Sequence, residues 1–467
     1  MKQTQLKTIF FVISHGWHSR LLLWTGVLKL MFQSGKYKIV IISQNADEKY
    51  LKEKLSSYLV LEKIQPRSGK AFALIHKIRR QLFTGGVIPN TIYIKNSVKA
   101  DSIVSLIARH TALSLNYLFK FIPGLSNFLL FLDKIVFHDS NYEKLFNDYK
   151  PSLLVVCSVV HSECYLMLTA AQKKNVRTVF LVESWDNPTT KGNFHAPIDK
   201  YIVWNNFNKN ELIKYHNVDS SDIWVTGSPY HNIYSENNYC DRKIFCSRYG
   251  LNHKSKIILI SGTLLHLFAD FRRFVVNLVE KIDNNYFGFH CQILIRPHPQ
   301  VISGYSEGYG IGELEELQKL SKNIFFDIPN VVSKSLPVDI DEKDILNLAE
   351  IVFHADVVLS FLSTLTIDAC AVDTPTILIG YDLNTPKGSI PSKLRLKYDH
   401  HKNVILSGGV KVALSENQLP SQIKQYLLNP SLDKLSRKDL VNTQCFALDG
   451  QSSVRIINNI NHYLKSI

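Results

Sequence analysis

Short runs of β-branched and aromatic residues alternate with segments of helical periodicity along most of the chain, and this alternation constrains the fold more than any other feature of the sequence. A parallel strand buried on both faces reads as a continuous apolar run and needs a crossover helix to reach the next strand. In the first half the pattern predicts strands over Thr8–Ser14, Lys38–Ser43, Leu153–Ser158, Thr178–Glu183, Tyr201–Trp204 and Ile223–Gly227, with helices such as Ser19–Phe32 and Ser162–Lys174 between them. A second series follows, with strands over Lys256–Ser261, Gln292–Arg296, Ile324–Asp327, Asp356–Leu359 and Thr376–Gly380. Its helices include Phe268–Ile282, Asp344–Ala355 and Thr364–Val372.

Between the two series, Ser228–Ser255 carries Pro229, several asparagines and mixed charge, and reads as a connector. The expected organisation is α/β, with two Rossmann-like domains facing a cleft: 1–235, 236–452, and a terminal helix 453–467. Val454, Ile456, Ile457, Ile460, Tyr463 and Leu464 fall at helix spacing, so that last segment is expected to pack against the body and cross back to the first domain. Ligands of such sheets bind at the carboxyl ends of the strands.

Apolar residues form 45% of the 467 and charged residues 20%, the balance of a packed globular protein. The net charge is +14, and half of that surplus lies in Leu61–Ala100, where eight basic residues meet one acid, Glu62. The apolar stretch Leu115–Phe137 comes next. A basic patch beside an amphipathic apolar segment suits an anionic membrane surface, so 61–137 is read as a peripheral membrane contact. A solvated basic face beside an ordinary core helix is the alternative. No nucleic-acid-binding motif accompanies the charge, and a basic nucleic-acid-binding protein stays a rival rather than the reading. Seven scattered cysteines without a Cys-x-x-Cys spacing fit neither a disulfide framework nor a zinc site and point to a reducing cytoplasm. Lys2, Lys7 and the short apolar run Ile9–Ile13 make a first strand rather than a signal peptide, and no run of 18 uninterrupted apolar residues occurs.

Three strand ends carry candidate chemistry. Gln292–Arg296 runs into Pro297-His298-Pro299, so two prolines fix the backbone around His298, and Arg296 with His298 is expected to meet a phosphate. Asp356–Leu359 leads into Ser360-Phe361-Leu362-Ser363-Thr364, where Ser363 is the expected N-cap, Ser363 and Thr364 offer hydroxyls to an anion, and Asp368 stands one turn later for a ribose hydroxyl. Thr178–Glu183 continues into Ser184-Trp185-Asp186, and Glu183 or Asp186 is the candidate general base, an Asx-type turn being the competing account for Asp186. His15, His18 and Arg20 follow the first strand and line the acceptor side or cap a helix. Asp339-Ile340-Asp341 reads as solvated acids and His400-His401 as surface. No metal site, Gly-x-Gly-x-x-Gly fingerprint or P-loop is found.

These residues and their order resemble glycosyltransferases of the GT-B fold. The pattern is most similar to bacterial surface-polysaccharide transferases: the CDP-glycerol glycerophosphotransferases and the capsule-polysaccharide and sialyltransferase-like enzymes that share a His-Pro motif. Asp449-Gly450-Gln451-Ser452-Ser453-Val454-Arg455-Ile456 resembles the Asp-Gly-x-(Ala/Ser)-x-x-Arg-Ile segment of the glycerophosphotransferases. The resemblance implies a nucleotide donor in the second domain on Arg296, His298, Ser363, Thr364 and Asp368, and a base in the first. The family's Trp-His-Gly-Thr is replaced here by Trp185-Asp186-Asn187-Pro188-Thr189-Thr190-Lys191-Gly192, which argues against glycerol phosphate as the transferred group and makes Asp186 the base by analogy. The implied activity is metal-independent transfer of a sugar or sugar-like group from a nucleotide-activated donor to a lipid-linked or growing surface glycan, without a cofactor. A nucleotide-sugar 2-epimerase of the same fold is the alternative.

Overall fold

The computed structural model describes residues 6–47, 49–55, 59–65, 79–98, 114, 116–117, 121–122, 124–194, 196–236, 238–333, 339–386 and 388–466. The basic residues Arg67, Lys70, Lys77 and Lys99 lie outside them, as do Lys120, Pro123 and Pro337. The described residues fall into two compact units, the first taking those of Met1–Tyr93, Ser102–Tyr230 and Gln451–Ile467, the second those of Ile94–Asp101 and His231–Gly450.

The first unit holds seven parallel strands: β1 (Lys7–Val12), β2 (Tyr37–Ser43), β3 (Val60–Lys63), β4 (Leu153–Val156), β5 (Arg177–Leu181), β6 (Lys200–Val203) and β7 (Ile223–Val225). Their order is β3-β2-β1-β4-β5-β6-β7, which reverses direction between β1 and β4. That reversal opens a crevice at the carboxyl ends of β1 and β4 where crossover segments leave on opposite faces. β4 is Leu-Leu-Val-Val, buried throughout, because helices cover both faces of the sheet. The strands stop about two residues short of the expectation at Ser14, Ser158, Glu183 and Gly227. These residues stay largely buried, but they are turning out of the sheet.

The predicted helix Ser19–Phe32 is three pieces: a turn at Gly16–Ser19, a π-turn at Arg20–Trp24, and the helix Val27–Gln33 beyond Gly26, whose φ of +82° ends the previous piece. The terminal helix Ser452–Lys465 packs on this unit. Lys7 Nζ donates to the Leu464 carbonyl at 2.8 Å, the Ser453 hydroxyl to Thr25 O at 2.9 Å and Arg455 Nε to Thr226 O at 2.7 Å. The Asp449–Ile456 segment thus anchors this helix.

The second unit repeats the plan with β8 (Lys256–Ser261), β9 (Cys291–Arg296), β10 (Ile324–Phe326), β13 (Val357–Ser360), β14 (Thr376–Ile379) and β15 (Lys411–Ala413) in the order β10-β9-β8-β13-β14-β15. A small antiparallel pair, β11 (Val331–Ser333) and β12 (Asp339–Ile340), stands apart. Here the reversal lies between β8 and β13. β3, β15 and the β11–β12 pair escape the sequence pattern because they are two to four residues long and, apart from β12, not fully buried. Asp339 is not solvated but wholly buried in β12, and Asp341 caps the helix Glu342–His354 by accepting from Asp344 N at 2.8 Å.

Truncation before Ser452 removes Ile456, Ile457, Ile460 and Leu464, all buried in the intact chain, and uncovers the apolar surface they pack on. The truncated protein is expected to lose on the order of 6 kcal/mol or more of stability, read as a lowered urea midpoint by tryptophan fluorescence.

Candidate functional site

In the first unit, the ends of β1, β4 and β5 bring together His15, His18, His161 and Glu183. His18 Nε2 lies 2.9 Å from Glu183 Oε2, and Asn187 Nδ2 donates to the other carboxylate oxygen at 3.1 Å. The Ser14 amide donates to His18 Nδ1 at 3.2 Å. An amide only donates, so the neutral ring carries its proton on Nε2, facing the carboxylate. His15 accepts from Trp17 N at 3.3 Å, and the His161 ring stands 5.6 Å from His15 and 5.8 Å from His18.

Burial alone raises the Glu183 carboxyl, but the charge and hydrogen bond of His18, with Lys191 and His15, hold it down to about 2. Burial first, and then the charge of His18, lowers His15 to about 4 and His161 to about 3. Near neutral pH Glu183 is therefore ionised, and His15 and His161 are neutral.

The segment after β5 is clamped from outside. Trp204 Nε1 donates to Val182 O at 3.0 Å, Asn208 Nδ2 to Trp185 O at 2.7 Å and Arg80 Nε to Lys191 O at 3.1 Å. His216 accepts the Phe194 amide on Nδ1 and meets Pro188 O at 2.7 Å through Nε2. Gly192 has φ +87° and would place a Cβ 2.8 Å from the Arg80 carbonyl, so no side chain fits there. Asp186 lies in the turn this segment makes, accepting from the Ser184 hydroxyl at 2.6 Å and the Thr190 hydroxyl at 2.8 Å. Glu183 belongs to the histidine cluster; Asp186 sits three residues on, bonded into its own turn.

Arg20, in the π-turn, is 9% exposed, and its guanidinium carbon lies 5.2 Å from the Trp17 ring centroid and 4.9 Å from that of Tyr230. Its Nε is sealed from solvent without a hydrogen bond, and no carboxylate pairs with it among the described residues. Stacking recovers about 2 kcal/mol or more per desolvated ring, whereas burying a cation costs several kcal/mol.

In the second unit, β9 delivers Arg296 and His298 differently from the expectation. Arg296 is buried and its two terminal nitrogens pair with Asp327 and Asp344, so the guanidinium ties strand ends together instead of meeting a phosphate. His298 caps the turn Pro299–Ile302, its Nδ1 accepting from Gln300 N at 3.2 Å. Burial, then the Arg296 charge and His266, lower its ring to about 4. The neutral ring thus offers an Nε2–H donor, the form that suits an anionic oxygen. Gly262, after β8, donates to Arg296 O at 2.6 Å, and a Cβ there would fall 2.5 Å from Pro297 Cα. Only glycine lets β8 approach the Arg-Pro-His-Pro turn so closely.

After β13, Leu362 takes φ +60° and the helix Leu365–Ala371 begins at Thr364, not Ser363. Thr364 makes no capping bond. The Ser363 hydroxyl lies 3.2 Å from that of Ser360, to which Thr366 donates at 2.9 Å. Asp368 faces His231 at 3.8 Å. His400 and His401 are buried rather than on the surface: His401 stacks on Tyr398 and bridges Arg395 O at 2.9 Å and Leu362 O at 3.2 Å.

Comparison with known proteins agrees with this plan. No protein-family model and no curated relative matches the sequence. Among solved structures, a glycosyltransferase from Rickettsia africae aligns with a TM-score of 0.53 at 13% identity, covering 98% of this chain and 99% of that one. MnaA of S. aureus with UDP aligns at 0.56 and 13%, covering 99% and 98%. The UDP-GlcNAc 2-epimerase of Neisseria meningitidis bound to UDP-GlcNAc aligns at 0.54 and 12%, covering 97% and 100%. The chain has the GT-B fold, two Rossmann-like units in one polypeptide.

The pKa shifts set a pH dependence. In the unfolded chain histidines bind protons near pH 6.5, whereas folded His15 and His161 resist them to about 4 and 3, so their contribution is complete above pH 6.5 and is lost as pH falls toward 3. The Glu183 contribution is present above about 4.5 and is lost as pH falls toward 2. The pair His15→Asn and His161→Asn is expected to flatten the stability slope between pH 6.5 and 4, as measured by urea titrations at stepped pH.

Proposed function

We propose that the protein is a glycosyltransferase moving a sugar or sugar-like group from a nucleotide-activated donor to a lipid-linked or growing surface glycan. The observation that carries this reading is the difference between the two strand-edge sites: an ionised Glu183 held by His18 in one unit, a neutral His298 donor in the other. The second unit takes the donor, with the His298 Nε2–H and the Ser363 and Thr364 hydroxyls on its phosphates and Asp368 toward the sugar of the nucleoside. Arg296 positions the strand end that carries His298. The first unit takes the acceptor, whose hydroxyl proton passes to a carboxylate. Glu183 is favoured over Asp186 because it stands among the histidines at the strand ends, whereas Asp186 holds the turn that follows β5. Charge building on the leaving phosphate is met by His298 without a metal, so activity is expected to survive EDTA.

The donor site is tested by thermal shift with CMP, CDP, UDP, GDP and their sugar conjugates. A nucleotide at 100 times its Kd stabilises by ~2.7 kcal/mol, and His298→Ala is expected to abolish the shift and lower the rate ~10²–10³-fold. If no nucleotide raises Tm, the reading falls. A 2-epimerase is the second reading, favoured by the epimerases among the structural neighbours. It predicts conversion of the nucleotide sugar with no acceptor present, seen by product analysis.

The peripheral-membrane part of the proposal has its own support. In the helix Leu125–Val136 the one acid, Asp133, is buried against Arg79 at 3.0 Å and accepts from the Tyr165 hydroxyl, while Phe128, Phe131 and Ile135 are each more than half exposed. Charge inside and rings outside is the arrangement of a helix lying in a lipid interface at the cytoplasmic face. No helix among the described residues is long and apolar enough to cross a membrane. Co-sedimentation with phosphatidylglycerol vesicles is expected to fall at least about tenfold in a Phe128→Ser, Phe131→Ser variant.

A further inference from the structure

We propose that Arg20 recognises a phosphate group on the molecule bound by the first unit. The inference rests on the reading of that unit as the acceptor side and names the chemistry the acceptor brings. Trp17 and Tyr230 hold the guanidinium, and Tyr230 is itself fixed by donating to Trp17 O at 2.8 Å. Ring stacking satisfies the faces of a guanidinium, but its N–H donors lie in the plane and point elsewhere. On Arg20 the Nε is sealed and makes no hydrogen bond, and the hydroxyl of Ser19, the preceding residue, is also buried without one. Folded proteins satisfy nearly all such groups, so a buried guanidinium nitrogen without a partner calls for an explanation, and an anion on the guanidinium supplies one.

Charge points the same way. Lys191 is a second cation without a carboxylate partner among the described residues, and its field reaches His15, His161 and Glu183. Glu183 is committed to His18 and Asn187. Arg20 stacks on Tyr230, and the charges of Arg20 and Glu183 both reach the Tyr230 hydroxyl. Two cations against one engaged carboxylate leave a positive surplus, and a planar fork with a nearby ammonium matches a phosphate better than a singly charged carboxylate.

The test is calorimetric titration of the full chain, in a His298→Ala background that silences the second unit, with inorganic phosphate, dimethyl phosphate and acetate. Phosphate is expected to bind more tightly than acetate. Arg20→Met is expected to weaken it at least about tenfold, with Arg20→Lys intermediate and Glu183→Gln no weaker than the parent. Dimethyl phosphate binding equally well identifies a bridging diester; failure of that probe alone identifies a terminal phosphate. Should Arg20→Met not fold, Lys191→Met carries the test with a several-fold loss. Phosphate binding unchanged by Arg20→Met, or acetate binding as tightly as phosphate, overturns the proposal. If it fails while nucleotides still stabilise the unmodified protein, the transferase reading stands without it. If nucleotides fail and phosphate binding depends on Arg20, the reverse holds.

Discussion

The contact between His18 and Glu183 ties the chain leaving β1 to the chain leaving β5, passing over the end of β4. Both partners are buried, so each depends on the other: remove one and the second is left as an uncompensated polar group in a desolvated site. The Ser14 amide fixes the imidazole from behind and Asn187 fixes the carboxylate from the side. Glu183 reaches this position only because Trp204, Asn208, His216 and Arg80 clamp the segment that follows β5. The histidine–carboxylate cluster of the first unit is thus the innermost of a set of nested constraints, most of which lie in side chains outside it.

The second unit uses a parallel device. Arg296 is spent on Asp327 and Asp344, and through them it joins the ends of β9 and β10 to the helix Glu342–His354. His298, next to it, is held by prolines on both sides and by the Gln300 amide, with Gly262 closing in from β8. Cation and imidazole share one strand end but are held differently, the cation by two carboxylates and the imidazole by one amide.

Much of this was legible in the sequence. Continuous apolar strands such as Leu153–Val156 and the crossover periodicity led directly to parallel sheets, and the Arg-Pro-His-Pro segment does stand at the carboxyl end of β9. Arg296 shows the limit: an arginine at a strand's carboxyl end reads as a phosphate ligand until Asp327 and Asp344, 31 and 48 residues further on, are seen to take it. His400 and His401 looked solvated because their partners, backbone carbonyls for His401 and the rings of Tyr398 and His401 for His400, leave no mark in a sequence. His161 was passed over because nothing local distinguishes it; it matters only once β4 is placed between β1 and β5. Ser363 failed as a cap because Leu362 adopts a left-handed conformation that a leucine gives no reason to expect.

The terminal helix has a consequence for how the molecule is made. The second unit is, in effect, a long insertion within the first: its main body, His231–Gly450, is continuous, whereas the first unit is complete only when Gln451–Ile467 has been added. On the ribosome the order of folding therefore runs against the order of the domains. The second unit is free to close as soon as it emerges, while the first waits with the groove for Ile456 and Ile460 uncovered until the last residues arrive. That interval is when the apolar surface of this protein is most open to the wrong partner.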